Sequence, residues 1–408
     1  MRPTVRGWQA ILIGGAILTL AFLIGTTQFY QLGYAFAVIV VAAFFLGFAG
    51  SRGLRFSRSL PPEARVFAGK QSRVDLNLSG GPHLVASKVE VVDRLPEPRT
   101  FEMSLAGRSK AEAEAPIGFT RRGIYELGPA EVRTVDSFGL LRFAREFEER
   151  TEVIVYPEVH LIPDFPLRGG NMDAGARGVH GYRGEEFANL REYRIGDDRR
   201  HIHWKSVART GELVVKEFAV QAPRRYTVAL DLCRRGLRVP EREIEDAVSA
   251  AGSVLTYLAD ERLPARLLCA DRNMSATGFG SGDAAYWEAM RVLATVKADG
   301  DRELGEVVWE GREKLGEGVV LVSRVLEKSL FENVQKLRGS GLSVVVVALA
   351  SHAYRGSVPS SEREDEFLRD VGRLEAAGAQ VCIVRHPEGV AGLSGARSQS
   401  RPRSRGVG

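Results

Sequence analysis

The chain has 408 residues, 44% of them hydrophobic, with 56 Lys+Arg against 51 Asp+Glu and three Cys. That length holds two or three folded units, and the composition excludes a collagen-like, wholly disordered or disulfide-stapled protein. A formal charge of +5 suggests nucleic acid only until the charge is located. Arg2, Arg6, Arg52, Arg55 and Arg58 stand in residues 1–58 without one acid, and Arg397, Arg401, Arg403 and Arg405 stand in 391–408, again without one. Between these ends acids outnumber bases, the reverse of a surface that tracks phosphates.

No charged residue occurs between Arg6 and Arg52. About 20 apolar residues cross roughly 30 Å of hydrocarbon, so this stretch predicts two spans, at about 8–25 and 34–50, within a transmembrane hairpin over 1–58. The break is expected at Thr26-Thr27-Gln28 and Gln31-Leu32-Gly33. Arginines precede the first span and follow the second, so the positive-inside rule puts both ends in the cytoplasm of a multi-pass inner-membrane protein. Trp8, Phe29, Tyr30 and Tyr34 stand where interfacial aromatics belong. A second span directly after the first argues against a cleaved signal peptide.

Residues 59–165 alternate with period two at 73–78, 88–91 and 131–135. Turn signals at Gly80-Gly81-Pro82, Pro96-Glu97-Pro98 and Gly128-Pro129 separate these runs, which predicts a small antiparallel β-sandwich. Residues 223–388 change rhythm: apolar runs at 226–230, 265–270, 318–322, 342–349 and 379–384 alternate with helical patterns at 241–260, 284–298, 325–338 and 361–377. This predicts a doubly wound, Rossmann-like α/β sheet with parallel strands. Ligands on such sheets sit beyond the carboxyl ends of strands, so Asp231 and Ser323 are positions to inspect. Residues 389–408 read as a disordered basic tail.

The densest segment lies within 166–222 and reads HGYRGEEFANLREYRIGDDRRHIHWKSVARTGELVVKE from His180 to Glu217, with three of the seven His. Its charges nearly balance, which predicts internal ion pairing. Asp197-Asp198 reads as a helix-capping turn. Trp204 reads as an anchor with its ring buried and its N–H bonded. The surface candidates are Arg183, Glu185, Arg194, Asp197, Arg200, Trp204 and Arg209, with Gly184, Gly196, His203 and Lys216 completing the signature.

Gly184, Phe187, Leu190, Arg191, Tyr193, Gly196, Asp197, Arg200, Ile202, Trp204, Ala208, Arg209, Leu213, Val215 and Lys216 together resemble the signature of the bacterial and archaeal DUF fifty-eight family. The resemblance extends to the layout of two spans, a β-rich region and an α/β domain. Ile195, Val207 and Ala219 depart from the pattern. The resemblance implies a von Willebrand factor A-like α/β domain and a MoxR-type AAA+ ATPase as partner.

Domains of that type hold Mg²⁺ on an Asp-x-Ser-x-Ser loop, because Mg²⁺ demands hard oxygen ligands. Here the loop is Asp231-Leu232-Cys233-Arg234-Arg235, so Asp231 marks a degenerate metal position and no metal or other cofactor is expected. A cluster of His180, His201, His203 and Asp197 offers an alternative metal-dependent binder or hydrolase, without supporting ligand spacing. A nuclease built on Asp198, Glu212 and Lys216 lacks the usual spacing. The segment contains no nucleophile elbow or phosphate loop. The expectation is a membrane-anchored, non-enzymatic scaffold or adaptor that works with the ATPase in assembling or activating protein complexes.

Overall fold

The computed structural model describes residues 1–60, 65–80, 85–95, 97–104, 110–163, 165–167, 186–194, 202–219, 224–234, 239–354 and 361–395. The chain divides into two units, residues 1–159 with 290–296, and residues 160–289 with 297–408.

The first unit opens with a short strand, β1 (Arg2–Pro3), and two long apolar helices, α1 (Val5–Ile24) and α2 (Thr27–Arg52). Both are long and apolar enough to cross a membrane. The break between them comes earlier than the sequence predicts, because Gly25 ends α1 in the left-handed conformation (φ 74°) and donates its N–H to Ala21 O. Gln28 and Gln31 therefore fall inside α2, where glutamine is a fair helix former. The helices approach each other through small residues: Gly14 of α1 is buried against Phe36, and Gly33 of α2 faces Leu18 so closely that a Cβ there would lie 2.3 Å from Leu18 Cδ2.

The strands that follow are β2 (Arg55–Ser59), β3 (Val66–Phe67), β4 (Gln71–Ser79), β5 (Val85–Leu95), β6 (Glu97–Ser104), β7 (Lys110–Gly118), β8 (Gly123–Leu127), β9 (Ala130–Asp136), β10 (Leu141–Phe147) and β11 (Thr151–Tyr156). They form sheets in the orders β1-β10-β9-β5-β6, β2-β4-β7 and β3-β11-β8. One core is drawn from all three, including Val74, Leu76 and Leu78 of β4, Val89 and Val91 of β5, Ile117 of β7, Leu127 of β8 and Val153 and Val155 of β11. The period-two alternation is thus realised as buried and outward residues. Two details differ from the sequence reading. β3 runs parallel to β11, so the unit is not wholly antiparallel. Pro98 lies within strand β6 rather than in a turn, opposite Arg94, and is tolerated there because β6 is a sheet edge. Arg58 of β2, fully buried, crosses to the next sheet: its Nε and Nη2 meet the Asp93 carboxylate of β5 at 2.9 and 2.5 Å, and its Nη1 donates to Leu127 O at 3.1 Å.

In the second unit, Ile162, Phe165 and Leu167 are buried, with Phe165 5.8 Å from the Tyr257 ring. A hairpin follows, made of β12 (Glu186–Glu192), α3 (Trp204–Thr210) and β13 (Val214–Ala219). Next come β14 (Tyr226–Leu230), α4 (Glu241–Asp260), β15 (Ala265–Cys269), α5 (Asp283–Thr295, whose residues from Met290 on count with the first unit), α6 (Leu304–Glu310), β16 (Gly318–Ser323), α7 (Lys328–Gly339), β17 (Ser343–Leu349), α8 (Ser361–Ala376) and β18 (Gln380–Val384). The sheet order is β15-β14-β16-β17-β18, and every neighbouring pair is parallel. Every residue of β14 and β16 is buried, as strands covered on both faces require. Ala229, Leu321, Val344 and Val346 pack on one face with Leu304, Val308, Val334 and Leu374. α6, which the sequence reading leaves as connection, belongs to that layer. The predicted tail begins later than residue 389: Val390 and Leu393 are buried in a short 3₁₀ stretch, Val390–Gly395.

Candidate functional site

Two places in the second unit bring chemistry-bearing residues together. The first is the hairpin. β12 and β13 pair antiparallel with a bulge between Phe187 and Asn189, and Ile202 bridges Val215. Tyr193 N–H donates to Leu213 O at 2.8 Å and His203 N–H to Val214 O at 2.9 Å, so backbone bonds hold the entry to α3 against β13. Gly211 ends α3 with φ 78° and bonds Val207 O at 2.9 Å. Arg209 stands in the last turn, where a cation complements the helix dipole.

Of the sequence-predicted residues, Arg183, Gly184, Glu185, Gly196, Asp197 and Arg200, with His180, Asp198 and His201, lie outside the described residues. Arg194 and Arg209 are exposed, and Lys216 pairs with Leu190 in the hairpin ladder. His203 Nδ1 lies 2.7 Å from Ser206 Oγ, which engages one ring nitrogen in a local hydrogen bond. Glu212 sits in the turn before β13, so it does not share a strand with Lys216. Trp204 overturns its expectation: the ring is 63% exposed, and Leu213 beside the turn is 47% exposed. Trp204 is the first residue of a seven-residue helix.

The second place is the carboxyl edge of the parallel sheet, where strand order reverses between β15, β14 and β16. An open α/β sheet has its ligand crevice there. In this chain Arg324 fills it. Only 3% exposed, it donates from Nε to Asp231 O at 3.0 Å and from Nη2 to Cys233 O at 2.6 Å, and Nη2 lies 4.0 Å from Asp231 Oδ1. Asp231 Oδ1 accepts the Cys233 N–H at 3.1 Å, closing an Asx turn. On the other flank Gly300 N–H donates to Leu232 O at 3.1 Å and Arg234 N–H to Gly300 O at 2.6 Å. A Cβ at position 300 would lie 2.0 Å from Ala270 O, so only glycine passes.

These residues do not suit the Mg²⁺ implied by the resemblance. A guanidinium stands beside the carboxylate, and Cys233 rather than a hydroxyl residue follows two positions after Asp231. Among the described residues, no group of three His, Cys, Asp or Glu could hold a metal ion.

Beside the crevice a polar network ties α4 to the strand ends. Ser351 Oγ donates to Glu243 Oε1 at 2.8 Å, and Tyr354 OH donates to Asp246 Oδ2 at 2.8 Å. Burial, then the Asp246 charge, pushes the Tyr354 phenol up. Glu364 accepts from His352 Nε2 at 2.6 Å and from Arg385. Burial works to raise its carboxyl, but these hydrogen bonds outweigh it and hold it below the usual value. Sequence reasoning missed these residues: Glu243 and Glu364 stand in a helix's first turn, where acids are ordinary caps, and the partners of Asp246, Ser351 and Tyr354 are distant in sequence. The three cysteines are buried, and burial pushes Cys382 up to about 12, which removes thiolate chemistry at neutral pH.

Two apolar helices, a β-sheet unit and an open parallel α/β unit with a filled crevice define the class. Residues 189–354 match the family described as "Protein of unknown function DUF58". The chain is similar to "Uncharacterized protein YeaD" of Bacillus subtilis (strain 168), at 24% identity over 368 residues, covering 85% of this chain and 89% of the relative. Among solved structures it shows slight likeness to the CARDB domain of the PF1109 protein from Pyrococcus furiosus (12% identity, 25% of this chain, 91% of that one, TM-score 0.20). Likeness to Cwp6 from Clostridium difficile is similarly slight (10% identity, 83% of this chain, 39% of that one, TM-score 0.17).

Proposed function

We propose that the protein is a scaffold anchored in the cytoplasmic membrane by α1 and α2, with residue 2 and the segment after Arg52 on the cytoplasmic side. Its hairpin receives a protein partner, and its α/β unit is a von Willebrand factor A-like domain that has exchanged its metal for Arg324. The sequence resemblance implies that the partner is a MoxR-type AAA+ ATPase, acting in assembly or activation of protein complexes. The observation that carries this reading is Trp204, an indole left in solvent at the start of α3 while the backbone around it is hydrogen-bonded. Exposed Trp and Arg are the side chains that dominate protein interfaces, and Arg209 lies on the same helix.

The test uses the full chain solubilised from its own cells. The wild-type protein recovers a MoxR-type ATPase, and Trp204→Ala lowers recovery at least tenfold, the effect of losing one hot-spot tryptophan. The exposed position keeps the change in folding stability within about 0.5 kcal/mol, so an unchanged melting curve verifies the variant. Equal recovery by the folded Trp204→Ala protein removes this surface from the proposal, and no ATPase on the wild-type protein removes the partner.

A further inference from the structure

At the junction of α1 and the five-stranded sheet lies a cleft of about 550 Å³, lined by Arg2, Thr4, Arg6, Val135, Gly139 and Arg142 among others. The volume is in the range of small-molecule sites. Its walls are fixed by a closed set of hydrogen bonds. β1 pairs with β10 in the register Arg2 with Arg142 and Pro3 with Leu141. Thr4 N–H donates to Leu140 O at 2.9 Å, and Thr4 Oγ1 donates to Gly139 O at 2.6 Å while accepting the Gly7 N–H at 3.0 Å. The turn itself is built on Asp136, whose buried carboxylate accepts the N–H groups of Phe138, Leu140 and Leu141 at 2.8, 2.8 and 2.5 Å. Gly7 admits the helix to this turn, because a Cβ there would lie 2.0 Å from Leu140 O.

Three arginines line this cleft, and among the described residues none of Arg2, Arg6 and Arg142 forms an ion pair with a carboxylate within 4 Å. Glu131, which Arg2 influences only weakly, is already paired with Arg133 at 2.8 Å. The cleft therefore gathers positive charge that no carboxylate among the described residues neutralises. Its apolar surroundings say which kind of anion suits it. Val5 and Trp8 of α1 and Phe138 of the turn are exposed beside it. The 20 residues of α1 span about 30 Å at 1.5 Å each, the thickness of the hydrocarbon core. With α1 across a bilayer, Arg6 in its first turn stands at the headgroup level.

We infer that this cleft binds the phosphate headgroup of an anionic phospholipid, its acyl chains running along Val5 and Trp8. The inference rests on the membrane reading of α1 and α2. The lipid headgroup is favoured over free phosphate because the charge and the exposed apolar side chains meet at one edge.

The test has two layers. Alkaline carbonate extraction of membranes leaves the wild-type chain in the pellet. Release into the supernatant would overturn the membrane reading and this inference with it. For the lipid site, the detergent-purified full chain is incubated with equal phosphatidylglycerol and phosphatidylcholine and its adducts are read by native mass spectrometry. Phosphatidylglycerol dominates on the wild type, and Arg2→Gln/Arg6→Gln/Arg142→Gln loses about two orders of magnitude of that preference, at about fivefold per arginine. Arg142→Gln alone leaves the arginines before α1 in place for insertion and loses about fivefold. A chain that stays in the pellet but shows no phosphatidylglycerol preference, or an unchanged preference in Arg142→Gln, overturns the lipid site alone. So does displacement of the lipid by inorganic phosphate where chloride of equal ionic strength has no effect, since that marks a site for a soluble anion.

Discussion

Replacing Arg324 tests directly how the crevice of the α/β sheet is closed. In Arg324→Met the chain keeps a side chain of similar length but loses the hydrogen bonds to Asp231 O and Cys233 O and the cation 4.0 Å from Asp231 Oδ1. Hydrogen bonds to a charged group contribute about 1.5–3 kcal/mol each. Removing one partner of a buried ion pair costs about 3–5 kcal/mol, because the remaining charge stays buried without its counterion. The effects overlap, so the expected loss is about 3–5 kcal/mol, or roughly 6–20 °C for a unit of this size. Thermal unfolding of the full chain measures it, with hydrogen exchange at residues 226–233 to localise the change. The double variant Arg324→Met/Asp231→Leu should recover most of the loss, since apolar residues often replace a buried pair at little cost. An Arg324→Met midpoint within about 2 °C of wild type, with unchanged exchange in β14, would refute the view that the guanidinium holds this edge together.

Two further outcomes follow from the same physics. Arg58→Met strands the Asp93 carboxylate, fully buried among β2, β5 and β8, and should cost about 3–5 kcal/mol. Urea unfolding of the full chain reads this, and an Arg58→Met/Asp93→Leu double variant no better than the single one would refute it. Glu364 has its carboxyl held below the usual value by Arg385 and His352 against the opposing effect of burial. A group depressed on folding stabilises above its unfolded value, near 4.5, and loses that contribution as pH falls through the folded value. Glu364→Gln should therefore melt lower than wild type at pH 7, with the gap closing below about pH 4; a gap that widens on acidification would contradict the assignment.

Much of the fold was legible because its determinants are local. The run 241–260 reads as a helix with alternating apolar faces and is α4 to the residue. The strands of the parallel sheet read from continuous apolar runs, because strands buried on both faces leave no room for polar alternation. What escaped depends on distant partners. Arg324 follows Ser323, a position the sequence does mark, but its bonds reach carbonyls over 90 residues away in sequence, and no local pattern encodes them. Trp204 escaped for another reason: an indole among charges suits a buried anchor and an exposed side chain equally well, and tertiary packing, which the sequence does not show, decides. α6 is seven residues long, too short for a 3.6-residue period to stand out.

The five early arginines acquire distinct roles once the sheet is in place. Arg58 is spent in the core on Asp93, and Arg52 lies over the Phe48 ring at 4.4 Å, so neither is a bare topological marker. The geometry supplies a second line independent of charge. The first turn of α1 meets the Leu140 turn at Gly7, and the last turns of α2 meet Phe143 at Gly47, where a Cβ would lie 2.2 Å from the ring. Leu140 directly precedes β10 and Phe143 lies within it, so the start of α1 and the end of α2 must lie on the same side of any bilayer the hairpin crosses. Arginine bias alone would orient each span separately. Packing forbids the split arrangement, and the bias then has only to choose between two orientations of a rigid body. In the proposed membrane arrangement Arg2 and Arg6 are thereby freed from holding topology alone and remain beside Arg142 in the cleft they line.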